Sequence, residues 1–330
     1  MRFFVGLHQP SDARHFDAAF VSVNRLRGRK RPFAVQDWIM DSGAFSTIAT
    51  HGGYPHGVEE YAGQIHRWQS CGNLLAAVSQ DFMCEPAMLA KTGLSVADHQ
   101  RLTIERYDAL RPLVADVYVM PVLQGYTPAE YVSHLRQYGA RLTAGMWVGV
   151  GSVCKRNGDV RAIEAVLLAI HAERPDLRLH GFGLKTTALQ SGLVRELLET
   201  ADSMAWSFSA RKQGRNANDW REAERFVRRI DGMVAPDEVF AQIRRCVDDL
   251  DAVDNGEKWR DKGLFLRIHD ALIVPAHHLG REQRQPPRHD GGGGRDLRGG
   301  RPAGLGRGGP PTRPLFRSAV KSNRDCPPLR

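Results

Sequence analysis

Long apolar runs are missing from this chain of 330 residues. A helix that crosses a membrane needs roughly 20 consecutive apolar residues, and no stretch approaches that. The opening MRFFVGLHQP has too short an apolar core for a secretory signal. Paired cysteines are missing as well. The five present, Cys71, Cys84, Cys154, Cys246 and Cys326, are odd in number and form no CxxC pair, which argues against a disulfide framework and against a cysteine-rich zinc site. No GxGxxG turn follows the first apolar run, so the dinucleotide fingerprint of an open doubly wound sheet is lacking. These gaps predict a soluble, cytoplasmic protein with reduced thiols and no membrane partner.

Basic charge is present, but not where a folded domain would use it. The net charge is +9, yet residues 281–330 hold eleven Arg and one Lys against three Asp and one Glu. Residues 1–280 are therefore close to neutral, and the basicity says little about what the folded part binds. The same fifty residues contain ten Gly and eight Pro, too little apolar area to offset the entropy of ordering. The composition predicts a folded unit over residues 1–275 and a disordered tail over 276–330. That tail could be an Arg/Gly arm for nucleic acid, a solvated extension, or GC-rich DNA read out of frame.

Within the folded part, short β-rich runs alternate with helical patterns. The runs are RFFVGL (2–7), AFVSVNRL (19–26), DWIM (37–40), LLAAVSQ (74–80), VYVMPVL (117–123), GMWVGV (145–150), LRLHGFG (177–183) and SMAWSF (203–208). Most are continuously apolar, as in a parallel sheet covered on both faces. Between them, TPAEYVSHLRQYGARL opens with a Thr127 cap, Pro128 and Glu130 in capping-box spacing. SVADHQRLTIERYDALRPL and GDVRAIEAVLLAIHAE carry the three-to-four spacing of amphipathic helices. Eight strand candidates, most followed by a helix, predict an α/β protein with a (β/α)8 TIM-type barrel.

Chemistry in such a barrel sits at the C-terminal strand ends. Those ends read Asp41-Ser42-Gly43, Gln80-Asp81 with FMCEP following, Gln124-Gly125, GVGSVCKR over 149–156, Gly183 before Lys185, and Asp202 beside SMAW. A carboxylate or amide beside a glycine recurs. Together they would make a polar cup in which glycines let a flat ligand approach the backbone and carboxylates perform covalent and acid/base work. Singly, each carboxylate would serve equally well as a turn or helix cap.

Six of these segments, in order over residues 37–216, resemble the tRNA-guanine transglycosylase superfamily, and most closely its DNA-modifying branch, the deoxypurine-in-DNA protein A family. MDSGAFS is similar to DSGGFQ, SQDFMCEP to the base-pocket segment, PVLQGY to the VQG segment, VGVGSVCKR to the glycine-rich loop and LHGFGLK to the HLxG strand. ADSMAWSFSARKQGR stands where the superfamily has its nucleophile strand and basic loop. The resemblance implies replacement of guanine in DNA by a free 7-deazaguanine base, 7-cyano-7-deazaguanine in particular. The route is double displacement through a covalent enzyme–DNA intermediate, with no cofactor. It also implies helper proteins of a DNA-modification system and protection of DNA against restriction.

The resemblance carries over to individual residues. Asp41 becomes the general acid/base, with Ser42 and Gly43 beside it. Asp81 becomes the carboxylate that reads the N1–H and amino edge of guanine. Gln124 and Gly125 contact the carbonyl edge, and Gly149, Gly151 and Gly183 line the base site. The superfamily's attacking aspartate aligns with Ala205, which leaves Asp202 as the nearby carboxylate and the expected nucleophile. Lys155, Arg156, Arg211, Lys212 and Arg215 are expected to meet phosphates at the rim. His180 and Cys154 read as packing residues, and Trp206 as either a stacking platform or a core side chain. The zinc motif that follows the barrel in the tRNA enzymes is lacking, since the region holds only Cys246, so no metal is expected. Exchange on tRNA, and a non-catalytic nucleic-acid-binding subunit, stand as alternatives, the second supported by Ala205.

Overall fold

The computed structural model describes residues 1–156 and 159–233, with the side chain of Lys155 outside that description. The expected tail over 276–330 and Cys246 also lie outside the described residues.

Nine short parallel strands form the sheet: β1 (Arg2–Gly6), β2 (Ala18–Ser22), β3 (Asp37–Asp41), β4 (Asn73–Val78), β5 (Val119–Met120), β6 (Val122–Leu123), β7 (Trp147–Val150), β8 (Arg178–Gly181) and β9 (Thr200–Ser203). Their order is β5-β4-β3-β2-β1-β9-β8-β7-β6. The two ends of that order are halves of one stave. Pro121 has no N–H and interrupts the strand, yet the segment is bonded on both sides. The Met120 carbonyl accepts from the Ser79 N–H at 3.0 Å, and the Pro121 carbonyl accepts from the Gly149 N–H at 2.8 Å. The expected eight-stave barrel is thereby closed.

The strands read as unbroken apolar runs because both faces are covered. Phe4, Phe20, Ile39, Ala76, Val78, Met120, Val122 and Trp147 point inward and fill the barrel. Their neighbours Val5, Val21, Trp38, Met40, Ala77, Val119, Leu123 and Val148 point outward into the helical layer, as strand alternation requires. Burying each of the larger side chains is worth about 1.5–3 kcal/mol.

The helices are α1 (Ala44–His51), α2 (Val58–Trp68), α3 (Pro86–Thr92), α4 (Val96–Leu110), α5 (Pro128–Tyr138), α6 (Val160–Glu173), α7 (Thr186–Leu189), α8 (Gly192–Leu197), α9 (Ala205–Lys212) and α10 (Trp220–Asp231). Helix α2 shows why the spacing works: Val58, Tyr61, Ala62, Ile65 and Trp68 are its buried residues and form one stripe. The capping box expected at Thr127 and Glu130 is formed, and Ser95 with Asp98 forms another at the start of α4. Removing such a cap typically costs about 1 kcal/mol.

One element differs from expectation. The run SMAWSF (203–208) is not the last strand. The strand is Thr200–Ser203, and the chain from Ala205 is helical. Trp206, Ser207 and Ala210 are the buried residues of α9, a helical spacing that tertiary packing selects over the β preference of Trp and Phe. The shift moves Asp202 into the strand.

Candidate active site

The inward stripe changes character at the C-terminal ends, from aromatic and aliphatic to polar. Asp41 ends β3, level with Ser22 on β2 in the pairing register. The turn after it needs Gly43, whose φ of 73° lies in the left-handed region. Burial raises the Asp41 pKa to about 6, and Asp202 adds to the rise, against hydrogen bonds from the Ser22 hydroxyl and the Gly43 N–H.

Asp81 follows β4 and is buried. Burial first, then Asp41, then Glu85 push its pKa up to about 7, while a hydrogen bond from Gln124 opposes them. The Gln124 side chain is held at both ends. Its Nε2 donates to Asp81 Oδ2, and its Oε1 lies 2.7 Å from the Ser152 hydroxyl. Its backbone is clamped too: the N–H donates to His134 Nδ1 at 2.8 Å, and the carbonyl accepts from Gln100 at 2.8 Å. Gly151 makes the arrangement possible, because a Cβ there would stand 2.1 Å from Gln124 Nε2.

Ser152 has φ 53°, the sole positive φ outside glycine among the described residues, a conformation that costs about 1 kcal/mol or more. It places the hydroxyl 3.0 Å from Glu85 Oε2, where it also accepts from the Cys84 N–H at 2.8 Å. The single hydroxyl proton serves either Glu85 or Gln124, so the chain Glu85–Ser152–Gln124–Asp81 has two proton arrangements. Ser79 Oγ and Gln80 Nε2 are also buried without a hydrogen-bond partner, while Gln80 Oε1 accepts from Arg106 of α4 at 2.7 Å.

Asp202 points inward from β9. Its Oδ1 accepts from the Gly183 N–H at 3.0 Å and lies 3.3 Å from His180 Nε2. The His180 tautomer follows from the neighbours. A carboxylate only accepts, so Nε2 carries the proton in the neutral ring, and Nδ1 accepts from the Thr200 hydroxyl at 2.8 Å. That hydroxyl in turn accepts from Trp147 Nε1 at 2.8 Å. His180 is fully buried, with Phe20 stacked on it. The expectation of a packing residue is therefore incomplete: His180 packs, and it also orients Asp202. Its signal in the sequence is its place three residues before the end of the run LRLHGFG.

The remaining expected residues divide. Ser42 is buried beside Asp41. Gly183, at φ 63°, offers its N–H to Asp202. Gly149 instead makes room for the Phe182 ring, and Gly125 lies against Glu130 and Tyr131 of α5. Arg156 is spent on the Ser152 carbonyl at 3.1 Å and on the Tyr126 carbonyl and ring. Arg215 pairs with Glu222 at 2.8 Å, Lys212 sits over the Phe208 ring, and Arg211 is exposed. Trp206 is a core residue, buried and donating to the Gly6 carbonyl at 2.8 Å. Around the mouth Phe45, Tyr126, Met204 and Phe208 are exposed, Phe208 by 54%.

Fold and site together define a (β/α)8 barrel with three carboxylates at the mouth, in which Asp41 interacts with both Asp202 and Asp81. The family model of DpdA, deoxypurine in DNA protein A, matches residues 1–267. The match takes in all nine strands, and the chain belongs to that family. Family membership makes it a transglycosylase-type enzyme of DNA modification, with DNA as substrate. Among curated proteins no sequence matches it significantly.

Proposed function

We propose that the protein exchanges guanine in DNA for a 7-deazaguanine, 7-cyano-7-deazaguanine in particular, through a covalent aspartyl–DNA intermediate. The observation that carries this is that Asp41 is coupled to a carboxylate on either side, Asp202 and Asp81, and is brought to about 6 by burial and Asp202.

In the first half, an Asp202 oxygen bonds to C1′ of the target nucleotide as the C1′–N9 bond breaks, and protonated Asp41 gives its proton to the departing guanine. In the second half, the Asp41 carboxylate takes the N9 proton of the incoming base. N9 then bonds to C1′, and the ester to Asp202 breaks. A group near 6 can act in both directions around neutral pH, and two displacements retain the sugar configuration. Asp81 supplies two acceptor oxygens to the N1–H and amino group of the base. Gln124 and Ser152 hold it in place. The hydrogen bonds of Asp202 to Gly183 and His180 aim the attacking oxygen. A base within a duplex has to leave the stack to reach this cup, and the exposed Phe45, Tyr126 and Phe208 suit the gap or the flipped base.

The test is mass spectrometry of nucleosides from DNA and from tRNA, digested separately, after expression in cells that make deazaguanine. Wild-type protein is expected to yield a deazaguanine deoxynucleoside, and Asp202→Ala none. With the free base left out, wild-type protein should form a denaturation-resistant adduct with a guanine-containing oligodeoxynucleotide. Label in tRNA alone, or no adduct, would overturn the proposal.

A further inference from the structure

Arginines on the outer barrel largely meet carboxylates: Arg2 with Asp37, Arg27 with Glu60, Arg136 with Glu173, Arg141 with Asp108, Arg174 with Asp176. At one place on the mouth two do not. Arg25, at the end of the 3-10 turn after β2, reaches His8 Nδ1 at 3.4 Å. His8, just beyond β1, has its Nε2 2.7 Å from the Ser207 hydroxyl on α9. Arg211 is one helical turn beyond Ser207 and on the same face. Neither Arg25 nor Arg211 is joined to a carboxylate among the described residues.

We propose that His8, Arg25, Ser207 and Arg211 form a seat for one backbone phosphate of the DNA strand, beside the sugar that faces Asp202. The proposal rests on the function proposed above and adds the path of the strand. Guanidinium groups only donate, so His8 Nδ1 accepts from Arg25 and Nε2–H donates to Ser207. The imidazole is thus neutral and fixed, with burial, Arg25 and Arg211 all disfavouring its charged form. Two cations converge on it with no counter-charge, an arrangement whose repulsion an anion between them relieves. The four residues come from the loops after β1 and β2 and from the helix after β9, and these three strands are adjacent in the sheet. Asp202 lies on β9, at one end of that arc, and Asp41 on β3, next to its other end. Asp81 and Gln124 belong to the opposite arc. A nucleotide placed with its base edge on Asp81 and C1′ at Asp202 therefore has its backbone above β9, β1 and β2, where these cations stand.

The test is binding of the full chain to a single-stranded oligodeoxynucleotide over a range of salt. Wild type is compared with the double variant Arg25→Gln/Arg211→Gln and with Arg136→Gln, which removes one charge far from the mouth. Losing one phosphate contact should lower the slope of log affinity against log salt by about 0.7, whereas Arg136→Gln should leave it unchanged. Replacing a single phosphate next to the target guanosine by neutral methylphosphonate should weaken wild-type binding several-fold at one position and not weaken the double variant further. If the double variant tracks Arg136→Gln, or still loses affinity to that methylphosphonate, the seat is wrong even where wild type modifies DNA. If wild type binds no DNA, both proposals fall.

Discussion

The two sides of the barrel mouth are built differently. From β4 round to β7, polar side chains are buried and tied together: Asp81, Gln124, Ser152 and Glu85 form one chain, and the Gln124 backbone is clamped by Gln100 and His134. His134 behind them is fully buried, and burial lowers its pKa to about 3. From β9 round to β2, the inner carboxylate Asp202 has a fixed donor behind it, but its rim is open and cationic, with Arg25 and Arg211 exposed. A preorganised, desolvated surface suits a rigid ligand read by hydrogen bonds, while an exposed positive rim suits a long, solvated, charged one. The contrast fits the proposed function, with the base on the first side and the sugar-phosphate on the second.

The sharpest way to break that assignment is to remove each side's carboxylate. Asp202→Ala should take exchange and adduct formation below detection, a loss of at least about 10⁴-fold, in single-turnover assays. Asp41, between the two sides, should matter to both half-reactions: Asp41→Asn is expected to slow exchange by roughly 10²–10⁴-fold. In wild type, kcat/KM should rise as Asp81 ionises through about 7 and fall as Asp41 loses its proton through about 6. The limbs overlap into a narrow bell whose apparent values belong to the coupled pair. Asp81→Asn should abolish the rising limb and keep the falling one.

The same residue gives a smaller effect on stability. A carboxylate whose folded pKa is raised from 3.8 to about 7 binds protons more tightly when folded, so its contribution falls as pH rises through that interval. Asp81→Asn should therefore stabilise the protein at pH 8, by a few kcal/mol at most, and the gain should vanish below about pH 4. Thermal unfolding at the two pH values measures this. The mildest test is Thr200→Val. It strips His180 Nδ1 of its donor and Trp147 Nε1 of its acceptor, and should cost about 1–3 kcal/mol of stability and slow exchange several-fold without changing DNA affinity.

Much of this architecture was legible in the sequence because it rests on local pattern. The apolar runs, the Thr127 capping box and the glycine after Asp41 each declare a strand, a helix start or a turn within a few residues. Asp41 and Asp81 were visible as carboxylates at strand ends, whereas Asp202 stood just before the expected last run and was singled out through the family resemblance. The features that escaped depend on partners far apart in the chain. His180 gains its role from Thr200 and Asp202, Ser152 from Glu85 and Gln124, and His8 from Arg25 and Ser207. The last strand was misplaced because Trp206 and Phe208 favour β structure locally, while the helical spacing of Trp206 and Ala210 was the signal that tertiary packing obeyed.

Ser152 has a consequence for directed evolution. Its backbone sits at φ 53°, where glycine is at ease and serine is not. Ser152→Gly would relax the backbone, but it would orphan the buried Cys84 N–H and the facing oxygens of Glu85 and Gln124, a loss of about 1–3 kcal/mol for each buried group left unpaired that outweighs the relief. Heat-selected and exchange-selected lineages should therefore both keep the serine. The strain at this position is held in place by the hydrogen bonds it makes possible.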